Sequence, residues 1–488
     1  MITCDKAQYS MRCKSQNCRQ GMGQLSPLLG SDVYGVRFSP GPSDWTFGVS
    51  LARGLKYRLI ETYEKLHRDH GDRVYCRVGP IRLYFFFHPD DVREVLVTHS
   101  KTIIRDPRPL KVFAQWNGNS MLIAEGEQWV RQRRLVQPAF QSRRFAGYAE
   151  KMAVGINALK ETLAADIART GHADVDIDLT MTALTLEIIC QTLFSTDMKS
   201  RTQEIRRAVA TLSEIAFIEM QAPFIWPLWL PTKWNRRKKK AMRVMDEIVW
   251  EMVHQRRREN VDKGDLLSML LAAVDEEGDG GSLTDEQVRN ESMTLMLAGH
   301  DTTAAGLDWL WLLLAKHPDV CERCRSELQT VCGNKAPTFA DLPQLAYLNA
   351  VIREALRIYP PAIGVFLRKA LEDVTIAGYE VPKGSLIALS SLVTHRDERW
   401  FPDPERFDPD RFLPPRVDSI PHGAWFPFGS GPRVCIGQSF AMTEMMLIAA
   451  NLLQSFKVSL VPGQPEPVPI VTAALRPRDP LWLRFEPV

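Results

Sequence analysis

The chain has 488 residues, of which 45% are hydrophobic and 24% are charged, an ordinary balance that excludes a disordered or fibrous protein. Its 61 basic and 58 acidic residues leave a net charge of +3, which excludes the overall positive field of a dedicated nucleic-acid-binding protein. The nine cysteines are odd in number and scattered, a pattern typical of free thiols in a reducing compartment rather than of a disulfide framework.

Residues 1–37 show no sustained hydrophobic period, and we predict a flexible leader there. The leader lacks the apolar core of a signal peptide. No stretch of the chain reaches about 18 uninterrupted apolar residues, so no transmembrane segment is predicted. A turn-rich run at residues 39–43 marks the entry to the folded body. We expect one large domain over residues 38–488 in a cytoplasmic protein.

Long helical patterns dominate after the turn-rich run, and strand-like runs such as residues 74–78 and 83–87 are the exceptions. The sequence therefore predicts a mainly α fold with small β-sheets. It contains no GxGxxG or Walker loop, the glycine-rich patterns that bind dinucleotides or nucleoside triphosphates. Any reducing equivalents are expected to come from another protein.

The apolar run at residues 224–231 is followed by the basic run at residues 236–240. This combination is typical of a protein that makes peripheral contact with an anionic membrane surface. The interpretation that we favour is a mobile lid over a substrate channel beside a solvated, charged helix. Both interpretations stay open, and they are compatible with each other.

One long helix is predicted after the basic run. Thr284 and Gln287 have the spacing of a capping box, and Asp285 and Glu286 suit the positive end of a helix. Pro318 ends the pattern. The helix is expected to have roughly 33 residues and a length of about 50 Å, which only a large domain can bury.

A small group of residues beyond this helix has spacings that could suit zinc, namely His317, Cys321, Cys324 and Cys332. Cys321 and Cys324 fall on one face of a predicted helix, however, whereas structural zinc usually takes four ligands from a knuckle. We therefore expect buried thiols here, with a metal site as the alternative.

A glycine-rich loop near the carboxyl end carries one cysteine just before a helical pattern. The helix N-terminus and nearby amide groups favour a thiolate at such a position. The loop matches FxxGxRxCxG at Phe428, Gly431, Arg433, Cys435 and Gly437, and it resembles the cysteine loop of the cytochrome P-450 family. The resemblance implies the P-450 fold and haem b bound to Cys435, whose thiolate would favour cleavage of the O–O bond.

The resemblance extends to the residues that would hold the haem. Trp129 and Arg133 resemble the family's WxxxR pair, and Arg368 matches a position that commonly binds a propionate. Phe428, Gly431 and Gly437 would line the haem beside the thiolate. Together with Arg433, the two other arginines supply three cations for two propionates.

Four residues of the long helix look like the family's oxygen-activation motif: Ala298, Gly299, Asp301 and Thr302. The resemblance implies that Ala298 and Gly299 contact the haem, and that Asp301 and Thr302 relay protons to dioxygen. A hydroxyl bonded to the i−4 carbonyl, together with Gly299, is expected to loosen this turn and open a groove.

Glu354 and Arg357 resemble the family's ExxR pair. Most such pairs on helices are exposed and contribute under about 1 kcal/mol, but the resemblance implies a buried structural pair completed by a third arginine. Arg406 and Arg411 are the two candidates, and we predict Arg411 because it stands nearer the usual distance from the cysteine loop.

The resemblance further implies a monooxygenase of the soluble, monomeric type that inserts one atom of O2 into a lipophilic small molecule, fatty-acid-like or terpenoid-like. Electrons would come from a separate ferredoxin or flavodoxin with its NAD(P)H reductase, which would dock near Arg131 and Arg134. Family position predicts a substrate pocket lined by apolar residues: Phe113, Trp116, Met296, Ile363, Val365, Phe366 and Ala474.

Two alternatives remain from the sequence. One is a haem-thiolate isomerase or dehydratase that rearranges peroxides without external electrons. The other is a non-catalytic haem sensor. Relatives of the first kind usually lack the acid-alcohol pair, and a sensor has no use for it, so Asp301 and Thr302 favour the monooxygenase.

Overall fold

The computed structural model describes residues 41–42, 48–196, 198, 201–222, 225–275, 280–364 and 366–488. The predicted leader, residues 1–37, lies outside the described residues. Within them, no helix is both long and apolar enough to cross a bilayer.

Helices form most of the described chain and are numbered here in chain order. They are α1 (Val49–Tyr57), α2 (Leu59–His70), α3 (Pro89–Arg93), α4 (Pro107–Asn117), α5 (Gly126–Val136), α6 (Phe145–Thr170), α7 (Ile177–Leu193), α8 (Thr202–Met220), α9 (Lys233–Glu259), α10 (Leu266–Ala272), α11 (Asp285–Lys316), α12 (Pro318–Cys332), α13 (Ala346–Ile358), α14 (Ser391–Thr394) and α15 (Gln438–Ser455).

The strands are short: β1 (Arg73–Val78), β2 (Ile81–Phe86), β3 (Ile103–Arg105), β4 (Ala173–Asp176), β5 (Arg368–Ala370), β6 (Val374–Ile376), β7 (Tyr379–Val381), β8 (Leu386–Leu389), β9 (Phe456–Leu460), β10 (Pro469–Val471), β11 (Leu475–Pro477) and β12 (Trp482–Pro487). They form a five-stranded sheet in the order β1-β2-β8-β5-β3, a three-stranded sheet β4-β12-β9, and the pairs β6-β7 and β10-β11. The predicted mainly α fold with small sheets is confirmed.

Helix α11 is the predicted long helix. It has 32 residues, and the capping box of Thr284 and Gln287 is present at its start. Most of its side chains are buried because α7, α9 and α13 pack around it. Such a helix, apolar on nearly all sides, belongs in the middle of a large core.

Helix α11 crosses α13 and α15 at Gly306, about one turn beyond Thr302. A Cβ atom on Gly306 would lie 3.2 Å from Met445 Cε of α15 and 3.4 Å from a methyl group of Leu356 on α13. The close crossing brings together three parts of the chain that carry sequence motifs: the middle of α11, the end of α13 and the loop before α15.

Candidate active site

The cysteine loop is held in one conformation by its glycines and by a backbone hydrogen bond. Gly431 has a φ of +72°, and a Cβ atom there would lie 2.2 Å from the carbonyl oxygen of Leu96, so only glycine fits. The N–H of Cys435 donates to the carbonyl of Phe428 at 3.0 Å. A Cβ atom on Gly437 would stand 3.9 Å from the Cys435 sulfur, an ordinary van der Waals contact.

The Cys435 side chain is enclosed by protein on most sides yet keeps an exposed surface. Enclosure raises the pKa of the thiol, while the N–H groups of Gly437 and Gln438 and the guanidinium of Arg133 act to lower it. A sulfur with amide donors behind it and an open side in front suits a ligand to a metal.

Helix α5 supports the cysteine loop from one side. Arg133 donates from Nη1 to the carbonyl oxygen of Val434 at 3.0 Å. The guanidinium of Arg433 lies 3.9 Å from the ring centroid of Trp129, a stacked cation–π contact. The two residues of the predicted WxxxR pair, Trp129 and Arg133, therefore both contact the loop.

Three arginines gather around one carboxylate beside the loop. Arg105 of β3 stands opposite Arg368 of β5 in the sheet, and Glu125 accepts from Arg105 Nε at 2.6 Å and also bonds Arg433. Burial lowers the pKa of Arg368 to about 10. Burial and the neighbouring arginines lower that of Arg433 to about 9, although Glu125 opposes the shift.

This cluster is short of negative charge, and Arg368 Nε has no hydrogen-bond partner among the residues that the structure describes. An anionic ligand would supply both the charge and the acceptor, and the two propionates of haem b fit this need. The sequence reasoning missed Arg105 and Glu125. The available signal for the first was a charged residue directly after the two isoleucines of the short strand Ile103–Arg105.

The oxygen-activation motif lies on the one face of mid-α11 that is not fully covered by protein. Ala298 and Thr302 are exposed although most residues around them are buried. Thr302 donates its hydroxyl to the carbonyl of Ala298 at 2.8 Å, the predicted i−4 bond. The two residues therefore face an open space inside the fold.

Gly299 has a different neighbour. A Cβ atom on Gly299 would lie 2.6 Å from Ile189 Cδ1 of α7, so the glycine permits close packing of α7 against α11. Helix α11 runs through this turn without interruption. The expected loosening of the turn is therefore corrected: the turn keeps its α-helical form, and Gly299 makes room for α7.

Asp301 points toward β11 and is bound by an arginine that the sequence reasoning did not single out. Arg476 donates to Asp301 Oδ1 at 2.9 Å and to its carbonyl oxygen at 2.8 Å. Asp301 and Arg476 are separated by 175 positions, so local spacing carried no signal of this contact.

The ExxR residues form a buried pair. Arg357 Nε donates to Glu354 Oε2 at 2.7 Å and Nη2 donates to Oε1 at 2.9 Å, with both side chains fully buried. Arg411 adds a contact to Glu354 Oε1 at 3.3 Å. Arg406 is exposed and contributes only its carbonyl oxygen, which accepts from Arg357 at 3.4 Å.

His395 connects this pair to the approach of the cysteine loop. Its Nε2 accepts from the N–H of Phe426 at 2.9 Å, and its Nδ1 lies 3.3 Å from the carbonyl of Arg357. Burial and the charge of Arg357 lower the pKa of His395 to about 3. The imidazole is therefore neutral near pH 7.

The predicted pocket residues fall into two groups. Phe113 packs edge to face against Trp116 and Phe366, each at 5.8 Å between ring centroids. Met296 and Ala474 are buried, and Ile363 is half-buried. Val365 lies outside the described residues.

A buried carboxyl group on α11 was not singled out by the sequence reasoning. Glu291 lies two turns before Ala298. Its Oε1 accepts from the N–H of Met121 at 2.8 Å, and its Oε2 has no hydrogen-bond partner within the described part of the chain. Burial raises its pKa to about 8, against the effect of the Met121 N–H.

Residues of the alternative zinc site do not converge. His317 Nδ1 lies 2.8 Å from the carbonyl of Leu313, and Cys321 Sγ donates to the carbonyl of Leu314 at 3.3 Å. Within the described part of the chain, a metal-type grouping joins only His67, Asp72 and Asp397. Arg399 already pairs with both of those aspartates.

The chain was predicted to dock its electron donor near Arg131 and Arg134. Both guanidinium groups are paired with Asp275, at 3.4 Å and 2.5 Å respectively. Their positive charge is thus partly balanced within the protein, and they offer a weaker basic surface than the sequence indicates.

The chain is similar to known proteins in sequence and in fold. A family model described as Cytochrome P450 matches residues 39–485. Cyclooctat-9-en-7-ol 5-monooxygenase of Streptomyces melanosporofaciens is 37% identical over 395 residues, 81% of this chain and 84% of the relative. Leukotriene-B4 omega-hydroxylase 3 of Mus musculus is 32% identical over 482 residues, 92% and 89% respectively. The solved structure of retinoic acid bound cyanobacterial CYP120A1 has a TM-score of 0.80 and 25% identity, covering 93% of this chain and 100% of that chain.

Proposed function

The chain belongs to the cytochrome P450 family of oxygen-incorporating oxidoreductases, whose members bind haem b through a cysteine thiolate, and we propose that Cys435 is that ligand in a monooxygenase acting on a lipophilic small molecule. The observation that carries the proposal is the open Cys435 sulfur beside a cluster of three arginines that has only one carboxylate, Glu125. The haem, when bound, supplies the iron at which dioxygen is activated.

Side chains of the cluster would hold and orient the cofactor. Arg368 and Arg433 are the propionate ligands that we propose, and Arg105 with Glu125 keeps Arg433 in position. Arg133 braces the loop through Val434 and lies near the Cys435 sulfur, where its charge favours the thiolate.

Thr302 and Asp301 are the residues that we propose for proton delivery. The Thr302 hydroxyl donates to the carbonyl oxygen of Ala298. Its own oxygen can still accept a hydrogen bond from a proton donor on the open side of α11. Asp301, one residue earlier, is bound to Arg476 on the opposite side. The pair favours a monooxygenase over the peroxide isomerase or the sensor, because both alternatives require no proton supply.

The substrate is proposed to be fatty-acid-like or terpenoid-like. The aromatic group of Phe113, Trp116 and Phe366 offers an apolar wall without ionised side chains. Relatives are named for leukotriene B4 and cyclooctat-9-en-7-ol, both lipophilic compounds. A separate ferredoxin or flavodoxin with its NAD(P)H reductase is proposed as the electron donor, since the chain has no dinucleotide-binding loop.

The test is the absorption spectrum of the dithionite-reduced protein under carbon monoxide. We expect the red-shifted band of thiolate-ligated haem in the wild type and in Cys332→Ala, a matched control at a half-buried cysteine. The band should vanish in Cys435→Ala. A band that survives in Cys435→Ala would overturn the ligand assignment, and folded protein without any haem spectrum would overturn the function.

A further inference from the structure

Three carboxyl groups share one guanidinium on the side of α11 that carries Asp301. Arg476 of β11 bonds Asp301 from Nη2, and its Nη1 lies 3.2 Å from Asp308 Oδ2 and pairs with Asp178 of α7. Local spacing does not explain the group, because its members come from two helices and a strand. The arrangement ties the proposed proton donor Asp301 to a second pair of acids.

The group extends from solvent into the core. The side chain of Asp178 is 37% exposed, that of Arg476 is 14% exposed and that of Asp308 is fully buried. Asp301 is 17% exposed. Water therefore reaches Asp178 most easily, and Asp308 depends on its protein partners for charge compensation.

Three ionised carboxylates against one guanidinium would leave a net charge of −2 largely out of water. Burial raises the pKa of Asp308 well above its usual value; Arg476 opposes this, and Asp178, within hydrogen-bonding reach, raises it further. Asp308 Oδ1 accepts no hydrogen bond from any described residue. Two adjacent carboxyl groups that cannot both ionise share one proton between them.

Other titratable groups near the cluster do not change this balance. His300 is buried, which lowers its pKa, and its Nδ1 lies 2.8 Å from the carbonyl of Met296. Its ring is therefore neutral. Burial acts to lower the pKa of Arg476, but Asp301, Asp308 and Asp178 outweigh it and keep the guanidinium charged.

We propose that Arg476 is a positioning residue that holds Asp301 for proton delivery, and that the Asp178–Asp308 pair carries one shared proton and anchors Arg476. With that proton, the pair has a single negative charge, and the guanidinium can bond the pair and Asp301 together. Without it, two negative charges would draw Arg476 away from Asp301. This inference rests on the proposed function, since it assigns a partner to Asp301.

The shared proton is tested by infrared spectroscopy of the resting, haem-loaded protein, which requires no turnover and so stands apart from the proposed function. We expect a C=O stretching band of a protonated carboxylic acid near neutral pH that shifts in D2O. It should appear as a lost band in the difference spectrum between the wild type and Asp308→Asn, whose amide replaces the protonated acid without changing the charge of the pair. The bands of the other buried acids with a raised pKa, Glu291 and Glu444, cancel in that difference. An unchanged band in Asp308→Asn would overturn the shared proton.

The positioning role is tested by mixing the reduced protein with O2 and one equivalent of a reduced ferredoxin, which supplies the second electron that makes proton delivery necessary, in H2O and in D2O, and following its return to the ferric state. Arg476→Met should slow the proton-dependent return about tenfold or more and alter the solvent isotope effect, with partial recovery in Arg476→Lys. Arg478→Met, which removes an exposed arginine on the same segment, should match the wild type. An Arg476→Met protein with the wild-type rate and isotope effect would overturn the assignment.

Discussion

Arg406 and Arg411 are the two candidates for the arginine that completes the pair of Glu354 and Arg357, and the contacts of their side chains distinguish them. Arg411 is buried against Glu354 and also donates to the carbonyl of Asp403 at 2.7 Å, whereas the side chain of Arg406 is exposed. Arg411→Gln removes one partner of a buried ion pair, and we expect a loss of about 3–5 kcal/mol in the free energy of unfolding.

Arg406→Gln is the matched control, with an expected change within about 0.5 kcal/mol. Urea denaturation of the haem-loaded proteins, followed by haem absorbance, measures both. Equal losses in the two variants would contradict the structural role of Arg411.

His395 predicts a pH dependence of stability. Its pKa is about 3 in the folded protein and about 6.5 when unfolded. The unfolded chain therefore binds a proton first as the pH falls, so stability is lost from about pH 6.5 downward. The titration of His395 should lower the free energy of unfolding by about 2 kcal/mol at pH 5 relative to pH 7.

The measurement for His395 is the free energy of unfolding of the wild type and of His395→Gln at pH 7 and pH 5. Gln has no titrating group, so the variant should lose less stability on acidification. The difference between the two proteins should narrow by roughly 2 kcal/mol. A constant difference across this range would mean that His395 does not titrate as described.

The residues that the sequence predicts are those in short, local patterns. Cys435, Glu354 and Arg357 stand in motifs with fixed spacing, and the structure gives Glu354 and Arg357 a direct contact. Arg105 and Arg476 were missed because each acts through contacts with residues far away in the chain. Such partners are set by tertiary packing, which spacing does not report.

At the scale of elements, an ion pair joins the helices around the aromatic group of the pocket. Lys238 of α9 is fully buried, pairs with Glu219 of α8 and donates to Gln115 Oε1 of α4 at 2.7 Å. Gln115 in turn donates to Glu219 at 2.8 Å. Since α4 carries Phe113, this triad ties the pocket wall to the helix pair beside it.

Lys238→Met leaves the largely buried Glu219 without its cation, and we expect the free energy of unfolding to fall by about 3–5 kcal/mol. Hydrogen exchange should become faster in α4, α8 and α9. Arg237→Met is the control, because its pair with Glu214 is exposed on the same two helices and contributes under about 1 kcal/mol. Mass spectrometry of hydrogen exchange locates the effect. If hydrogen exchange rises equally in both variants, the triad of Lys238, Glu219 and Gln115 does not specifically hold these helices together.

Elements with strong local signals were predicted well. The capping box and Pro318 set the ends of α11, which has 32 residues instead of about 33, and β1 and β2 overlap the two predicted strand-like runs. The pairing of β2 with β8 links segments about 300 positions apart in parallel. No local pattern encodes such a pairing, so sheet order stayed beyond sequence reasoning.

At the scale of the whole molecule, the net charge is close to neutral, but the surface at the start of α9 is strongly basic. The connection before α9 exposes Trp226 and Trp229, and the first turn of α9 exposes Trp234. The start of α9 exposes four cations: Lys233, Arg236, Lys239 and Lys240. Residue 224, the first of the apolar run, lies outside the described residues.

Apolar rings beside unbalanced cations suit an anionic lipid surface, where each nearby basic residue contributes about 1 kcal/mol. We expect the protein to sediment with vesicles of phosphatidylserine and phosphatidylcholine, less so with phosphatidylcholine alone, and less as salt rises. Replacing Trp226 and Trp229 by serine should weaken binding at least several-fold, because their exposed apolar area would no longer be buried. Trp482→Ser, at a comparably exposed ring on β12, should bind like the wild type. If the wild-type protein does not bind anionic vesicles, membrane contact is excluded and the segment is better explained as a lid over the substrate channel.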